Sequence, residues 1–396
     1  MKKLSFVLLA LSVVFISCTD KQLEKEIAHR QSVNEFNTDY VVPAIKQQQQ
    51  KISDFVNNLT LEQKVSQLFI ENLDGCKKFR SFETVGNLND TDDDTPLVAG
   101  GYLYFSYNVA KTAAEMRAFN NSIKDYCDKY NIIHPFLAID QEGGLVARLK
   151  NLNPILPSNE LVANSFSIKE AYHLYVDQAR SMENLGFHMN LAPVVEICTN
   201  DNKDFLDGRS FGNPWQVFKY GRACINAYEN NNIATVLKHF PGNTNTDPHT
   251  GLPVIKLSKT DLIKSLEPFI ELLRYNPEAV LMSHAVTDAI DPGVPACLSS
   301  VWVTDILRNE LGYEGIIFSD DIFMGALANN GYEPEKAAVM AIDAGIDCIM
   351  ISEKRFAKAG KIIYEHAKED SEFAKKIDKA VERIIKYKVK AGIIQL

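Results

Sequence analysis

Residues 315–321 read GIIFSDD, a short apolar run rich in β-branched residues that opens onto two adjacent aspartates. Residues 279–284, AVLMSH, repeat the form: an apolar run, then polar residues. Working outward, similar runs occur at 67–70, 98–105, 135–140, 187–195, 233–239 and 347–352, which makes eight. Between most of them lie amphipathic stretches long enough for a helix, at 110–130, 169–185, 215–230, 259–275 and 334–344. Strands that are apolar on both faces and alternate with helices predict a parallel sheet covered on both sides. Eight such units predict a closed α/β barrel, the (β/α)8 or TIM-type fold. A doubly wound sheet is disfavoured, because no GxGxxG turn follows the first run. A basic amphipathic helix over 373–391 is expected to complete a single catalytic domain spanning 52–396.

Length and composition agree. The chain has 396 residues, 46% of them hydrophobic and 23% charged, which excludes a disordered or fibrous protein. Its net charge of −9 lacks the basic excess that phosphate-backbone binding needs, so no nucleic-acid partner is expected.

Lys2 and Lys3 precede an apolar run from Leu4 to Ile16, too short for a bilayer span of roughly 20 residues. Residues 1–17 therefore predict a signal peptide. Ser17 before Cys18 resembles a bacterial lipobox, with Cys18 as the lipidated residue; Phe15 departs from the usual aliphatic residue, which leaves ordinary cleavage open. Either processing exports the protein to the periplasm or cell surface, with the lipid anchor as its only membrane contact. Residues 18–51 read as a polar tether with some helix, including the Gln47–Gln50 run. The six later cysteines have no CxxC spacing, so buried free thiols are expected, and neither metal nor cofactor is indicated.

In such a barrel, chemistry gathers at the C-terminal strand ends. Polar residues directly after an apolar run are the candidates. Asp140 and Glu142 follow the third run beside two glycines, where they could hold a metal or sugar hydroxyls or cap a helix; Arg148 follows closely. The long 191–214 loop ends at Arg209, suited to bidentate recognition or to an internal salt bridge. Lys238 and His239 close the fifth run, and the loop beyond presents Asp247 and His249 two residues apart. In an extended loop, i and i+2 point to one side, so the carboxylate could orient the imidazole. Asp320 and Asp321 end the seventh run; capping explains one carboxylate more easily than both.

IDQEGG (139–144), GRSFG (208–212), KHFPG (238–242) with its following Asp-x-His, and PACLSSVWVTDILRNELGYEGIIFSDDIFM (295–324) occur in order between LTLEQKVSQLF (59–69) and the terminal helix. Together they resemble the family 3 glycoside hydrolases, specifically the β-N-acetylglucosaminidase (β-N-acetylhexosaminidase) branch. The resemblance implies Asp320 as the nucleophile of a retaining mechanism, His249 as acid/base and Asp247 as its partner. An imidazole beside a carboxylate keeps its proton to higher pH, the state a general acid needs. It further implies that Asp140, Arg148, Arg209, Lys238 and His239 hold the sugar; Glu142 receives no role. The sequence departs from the family pattern in three places: Leu145 stands where arginine is common, Asn243 and Thr244 replace His-Gly in a loop about two residues short, and Pro248 replaces serine.

The implied activity is exo-hydrolysis of terminal GlcNAc from peptidoglycan fragments or other glycans, by a protein taken to be a monomer. Phosphorolysis or another β-glycosidase activity on the same barrel is one alternative. An inactive glycan-binding lipoprotein is another.

Overall fold

The eight apolar runs form one parallel sheet: β1 (Phe69–Asn72), β2 (Gly101–Tyr104), β3 (Phe136–Ile139), β4 (Met189–Asn190), β5 (Ala234–Phe240), β6 (Ala279–Met282), β7 (Ile316–Phe318) and β8 (Ile349–Met350). Each pairs with its neighbours in chain order, and β8 returns to β1 through Phe69↔Ile349. Phe318 pairs in parallel with Cys348 and closes the ring between β7 and β8. The structure is a computed structural model describing the backbone of residues 38–396 and side chains from residue 45. The expected signal peptide, residues 1–17, and Cys18 lie outside the described residues. By compactness the chain divides into residues 1–51 and residues 52–396, and the second unit holds the barrel.

Alternation along each strand sorts the core into two layers. Ala279 and Leu281 of β6 face the bore with Ile70, Leu103, Phe136, Val236 and Phe318, whereas Val280 and Met282 join the layer under the helices. The C-terminal helix Ser371–Lys390 carries Ile384 and Tyr387 into the bore layer, and the Tyr387 hydroxyl donates to the His188 carbonyl at the foot of β4, 3.0 Å away. One end of the bore is thereby closed, and the strand C-termini are left as the mouth.

Two helical segments differ from expectation. The stretch 259–275 is not one helix but two, Lys259–Ser265 and Glu267–Leu273, because Pro268 supplies no N–H and its ring crowds the preceding turn. Between β6 and β7 runs an unforeseen wide helix, Val301–Glu310, ended by the Leu311 N–H donating to the Ile306 carbonyl five residues back. No disulfide joins the six described cysteines; four are buried as expected, but Cys76 is partly exposed and Cys198 exposed.

Outside the mouth, β1 buries a carboxylate with incomplete pairing. Glu71 and Glu83 are almost wholly buried, and each keeps an Oε2 with no hydrogen-bond partner. Burial, and then the nearby Glu83 charge, push the Glu71 pKa well up. The folded state thus holds this proton more tightly than the unfolded chain does. The stability it confers is complete below the usual carboxylate pKa and is lost as pH rises. Glu71→Gln should remove that loss: its Tm should exceed wild type by about 1–3 °C near pH 8 and by less near pH 4. Thermal melts across that range check it, and a variant that is no more stable at the higher pH contradicts it.

Candidate active site

Lys238 and Arg209 meet at the mouth around one buried glutamate. The ammonium of Lys238, at the end of β5, lies 2.7 Å from Asp140 Oδ1 and 2.7 Å from Glu142 Oε1. Arg209 Nε and Nη2 donate to Glu142 Oε2 and Oε1 at 2.8 and 2.9 Å, a bidentate fork. Burial alone would raise the Glu142 carboxyl, but Lys238 and Arg209 outweigh it and hold the pKa far below the usual range. Glu142, given no role by the resemblance, is therefore the group that neutralises buried Lys238 and half-buried Arg209. Neither it nor Asp140 caps a helix.

His239 follows Lys238 across a cis peptide bond. Its Nδ1 lies 2.6 Å from Glu196 Oε1, and Glu196 Oε2 also accepts the Asn243 N–H at 2.7 Å. Phe205, on the short helix Lys203–Leu206 of the long β4 loop, contacts both the His239 ring and the Arg209 guanidinium. Arg148 is tied by its N–H to the Asp140 carbonyl at 3.3 Å, and its buried Nε has no partner.

Asp320 stands just past β7, 8% exposed. Its Oδ1 accepts the Asp321 N–H at 2.8 Å. Burial would raise its pKa, yet His284, His239, the Asp321 N–H and Lys238 together leave it lowered, so the carboxylate is ionised. Asp321 serves a different purpose. Its Oδ1 accepts from the Phe323 N–H at 3.0 Å and the Ser352 N–H at 3.1 Å, which ties the β7 loop to the end of β8. Buried His284, past β6, contacts the Asp321 carbonyl through Nε2 at 3.0 Å.

Asp247 and His249 do pair, Oδ1 to Nδ1 at 2.7 Å, but not by the alternation of an extended loop. Asp247 Oδ1 also accepts the His249 N–H at 3.0 Å, and its carbonyl accepts from Thr250 and Gly251, so the pair is made by a tight turn. The His249 N–H bond is the main cause that lowers the Asp247 pKa. Both side chains are exposed, His249 at 67% and Asp247 at 54%. Among the described residues no contact joins His249 to Asp320. The turn nevertheless docks on the loop that carries Asp320: the Ala326 N–H donates to the Pro248 carbonyl at 2.9 Å, and the hydrogen-only side of Gly325 admits the His249 carbonyl, which would lie 2.5 Å from any Cβ there. Leu145, the departure just after IDQEGG, is exposed.

Asp140, Arg209, Lys238, His239 and Asp320 thus converge at one strand-end cluster, with the Asp247/His249 turn on its rim. Glu196 and His284 were not singled out from the sequence. Glu196 directly follows the 187–195 run and His284 ends the 279–284 run, so their place at strand ends marks both. A cavity of about 610 Å³ is lined by Glu196, Asp201, Asn243, Asn245, Ile255 and Phe269 among others; neither the Asp247/His249 pair nor Asp320 lines it.

Residues 60–387 match the glycosyl hydrolase family 3 N-terminal domain. The chain belongs to glycoside hydrolase family 3. Within it, the chain is 31% identical over 277 residues to "Beta-hexosaminidase A" of Pseudoalteromonas piscicida, covering 64% of this chain but only 45% of that protein. It is 29% identical to "Beta-hexosaminidase" of Hydrogenovibrio crunogenus, covering 65% of this chain and 72% of the relative. A solved family 3 β-N-acetylglucosaminidase from Paenibacillus sp. str. FPU-7 superposes with a TM-score of 0.75 at 28% identity, over 85% of this chain and 65% of that one. The β-N-acetylhexosaminidase structure from Beutenbergia cavernae, 24% identical with a TM-score of 0.71, shares the fold over 85% of this chain and 99% of its own.

The Glu142 cluster makes a stability prediction. Glu142→Gln keeps the shape but leaves Lys238 and Arg209 under-neutralised, so it should cost about 3–5 kcal/mol. Because the native pKa is lowered, this difference is present at neutral pH and shrinks as pH falls below the usual carboxylate range. Denaturant melts at two pH values check it; a variant as stable as wild type at pH 7 contradicts it.

Proposed function

We propose that this family 3 barrel is a retaining, exo-acting β-N-acetylglucosaminidase that removes terminal GlcNAc from peptidoglycan fragments or other GlcNAc-terminated glycans. One observation carries the reading: a buried, ionised aspartate lies among sugar-suited polar groups, and a carboxylate–imidazole pair is docked on the same loop. The names of the relatives above support the hexosamine specificity, which extends to this chain by proposal.

In this reading Asp320 attacks the anomeric carbon as the bond to the leaving oxygen breaks, and His249 Nε2 gives its proton to that oxygen while Nδ1 stays on Asp247. His249 then takes a proton from water, which adds to the anomeric carbon and frees Asp320 with net retention. Asp140, Lys238, His239 and Arg209 hold ring hydroxyls, and the unpaired Nε of Arg148 is a donor suited to one more acceptor. The proposed setting is the cell envelope, supported by the leader and Cys18.

A chromogenic β-GlcNAc substrate tests the reading. Asp320→Asn should lose about three orders of magnitude or more in kcat, and His249→Ala about 10²–10⁴-fold on substrates with poor leaving groups. Equal turnover by all three proteins would overturn it, and GlcNAc-1-phosphate formed only with added phosphate would replace hydrolysis by phosphorolysis. Gly325→Ala should displace the His249 turn and lower kcat on the order of tenfold or more with little change in Tm. An unchanged kcat would show that the docking of this turn is irrelevant to the chemistry.

A further inference from the structure

Beyond the residues given roles above, the mouth carries an exposed aromatic ring. Tyr107 lies in the loop after β2 and is 57% exposed. A single exposed tyrosine needs no explanation, but three observations distinguish this one. First, it lies over the bore. Leu103 faces the bore, Phe105 two residues on shares that face and packs on the bore layer, and the Tyr107 ring stacks on Phe105 with centroids 5.9 Å apart and planes 7° from parallel. Second, it is held. The Tyr107 hydroxyl is hydrogen-bonded by the side-chain amide of buried Asn72, at the end of β1. Buried Asn108 then locks the turn, accepting the Phe105 N–H at 2.9 Å and donating to the Leu73 and Gly75 carbonyls at 2.9 and 3.1 Å. Third, the tether reaches the reacting side of the barrel: Asn72 also donates to the Ser352 carbonyl at 3.3 Å, and the Ser352 N–H is the donor to Asp321, next to Asp320.

A ring fixed by its hydroxyl and backed by a second ring presents one flat face at no further ordering cost, which suits stacking against the C–H face of a pyranose. Asp140, Lys238 and His239 lie at the ends of β3 and β5 and take the terminal sugar in the reading above, whereas the Phe105/Tyr107 pair rises from β2. We propose that Tyr107, backed by Phe105, is the platform for the second sugar ring, on the leaving-group side of the scissile bond, and so makes the enzyme prefer glycan aglycones to small ones. This rests on the hydrolase reading and deepens it.

The test compares two substrates: chitobiose, which places a ring on the platform, and β-GlcNAc fluoride, whose leaving group has none. Tyr107→Ala should lower kcat/KM for chitobiose about tenfold, mainly through KM, with the fluoride within about twofold of wild type. Tyr107→Phe, which keeps the ring on Phe105 but loses the Asn72 tether, should recover part of the loss. An equal fall on both substrates would reduce Tyr107 to a structural residue, and no fall on either would leave it a bystander; each overturns the proposal. If the wild type turned over neither substrate, the hydrolase reading itself would fail. The platform is then judged by calorimetry with GlcNAc and chitobiose: Tyr107→Ala must weaken only chitobiose, and equal binding of chitobiose by both proteins would dispose of it.

Discussion

Two cations enclosed at a barrel mouth, buried Lys238 and half-buried Arg209, have to be neutralised there, and Glu142 is the carboxylate they share. Without it Arg209 would lose its carboxylate partner and Lys238 would keep only Asp140, whereas with it both are fixed in position by three short ion-pair contacts. The charge of Lys238 also reaches Asp320, where it helps the histidines and the Asp321 N–H to offset the cost of burial. A carboxylate kept ionised out of water, yet close to groups that can take hydroxyls, is what nucleophilic attack on a sugar requires.

Around that centre the barrel separates duties among strand ends. Asp321 and Ser352 clamp β7 to β8, Glu196 backs His239, and Asn72 joins β1 to the loop after β2. These polar contacts knit adjacent loops directly to one another, so the mouth is held by hydrogen bonds as the bore is held by apolar packing. The Asp247/His249 turn is the exception. It is exposed, and it is fixed where Pro248 and His249 rest on Gly325 and Ala326.

Most of this is legible in the sequence, for a physical reason. A parallel strand covered on both faces must be apolar throughout, so each run stands out, and the first polar residue beyond it falls at the mouth. The same logic marks Glu196 and His284, which are easily passed over because neither sits in a charged cluster. Glu142 is harder to see, since its importance lies in partners 67 and 96 residues away, Arg209 and Lys238, which no local pattern reveals. For the dyad, spacing gives the right pair by the wrong geometry: alternation suggests the contact, but a side-chain turn by Asp247 makes it. The break at Pro268 is written in the sequence and masked by the hydrophobic period around it.

In the proposed mechanism Asp320 becomes covalently bonded to the sugar. Incubation with 5-fluoro-β-N-acetylglucosaminyl fluoride, which slows release of the second step, followed by proteolysis and mass spectrometry, tests it most directly. One glycosyl adduct is expected on the peptide containing Asp320, located on that residue by fragmentation and absent from Asp320→Asn. An adduct on another carboxylate, or substrate turnover with inverted configuration and no adduct, would contradict it.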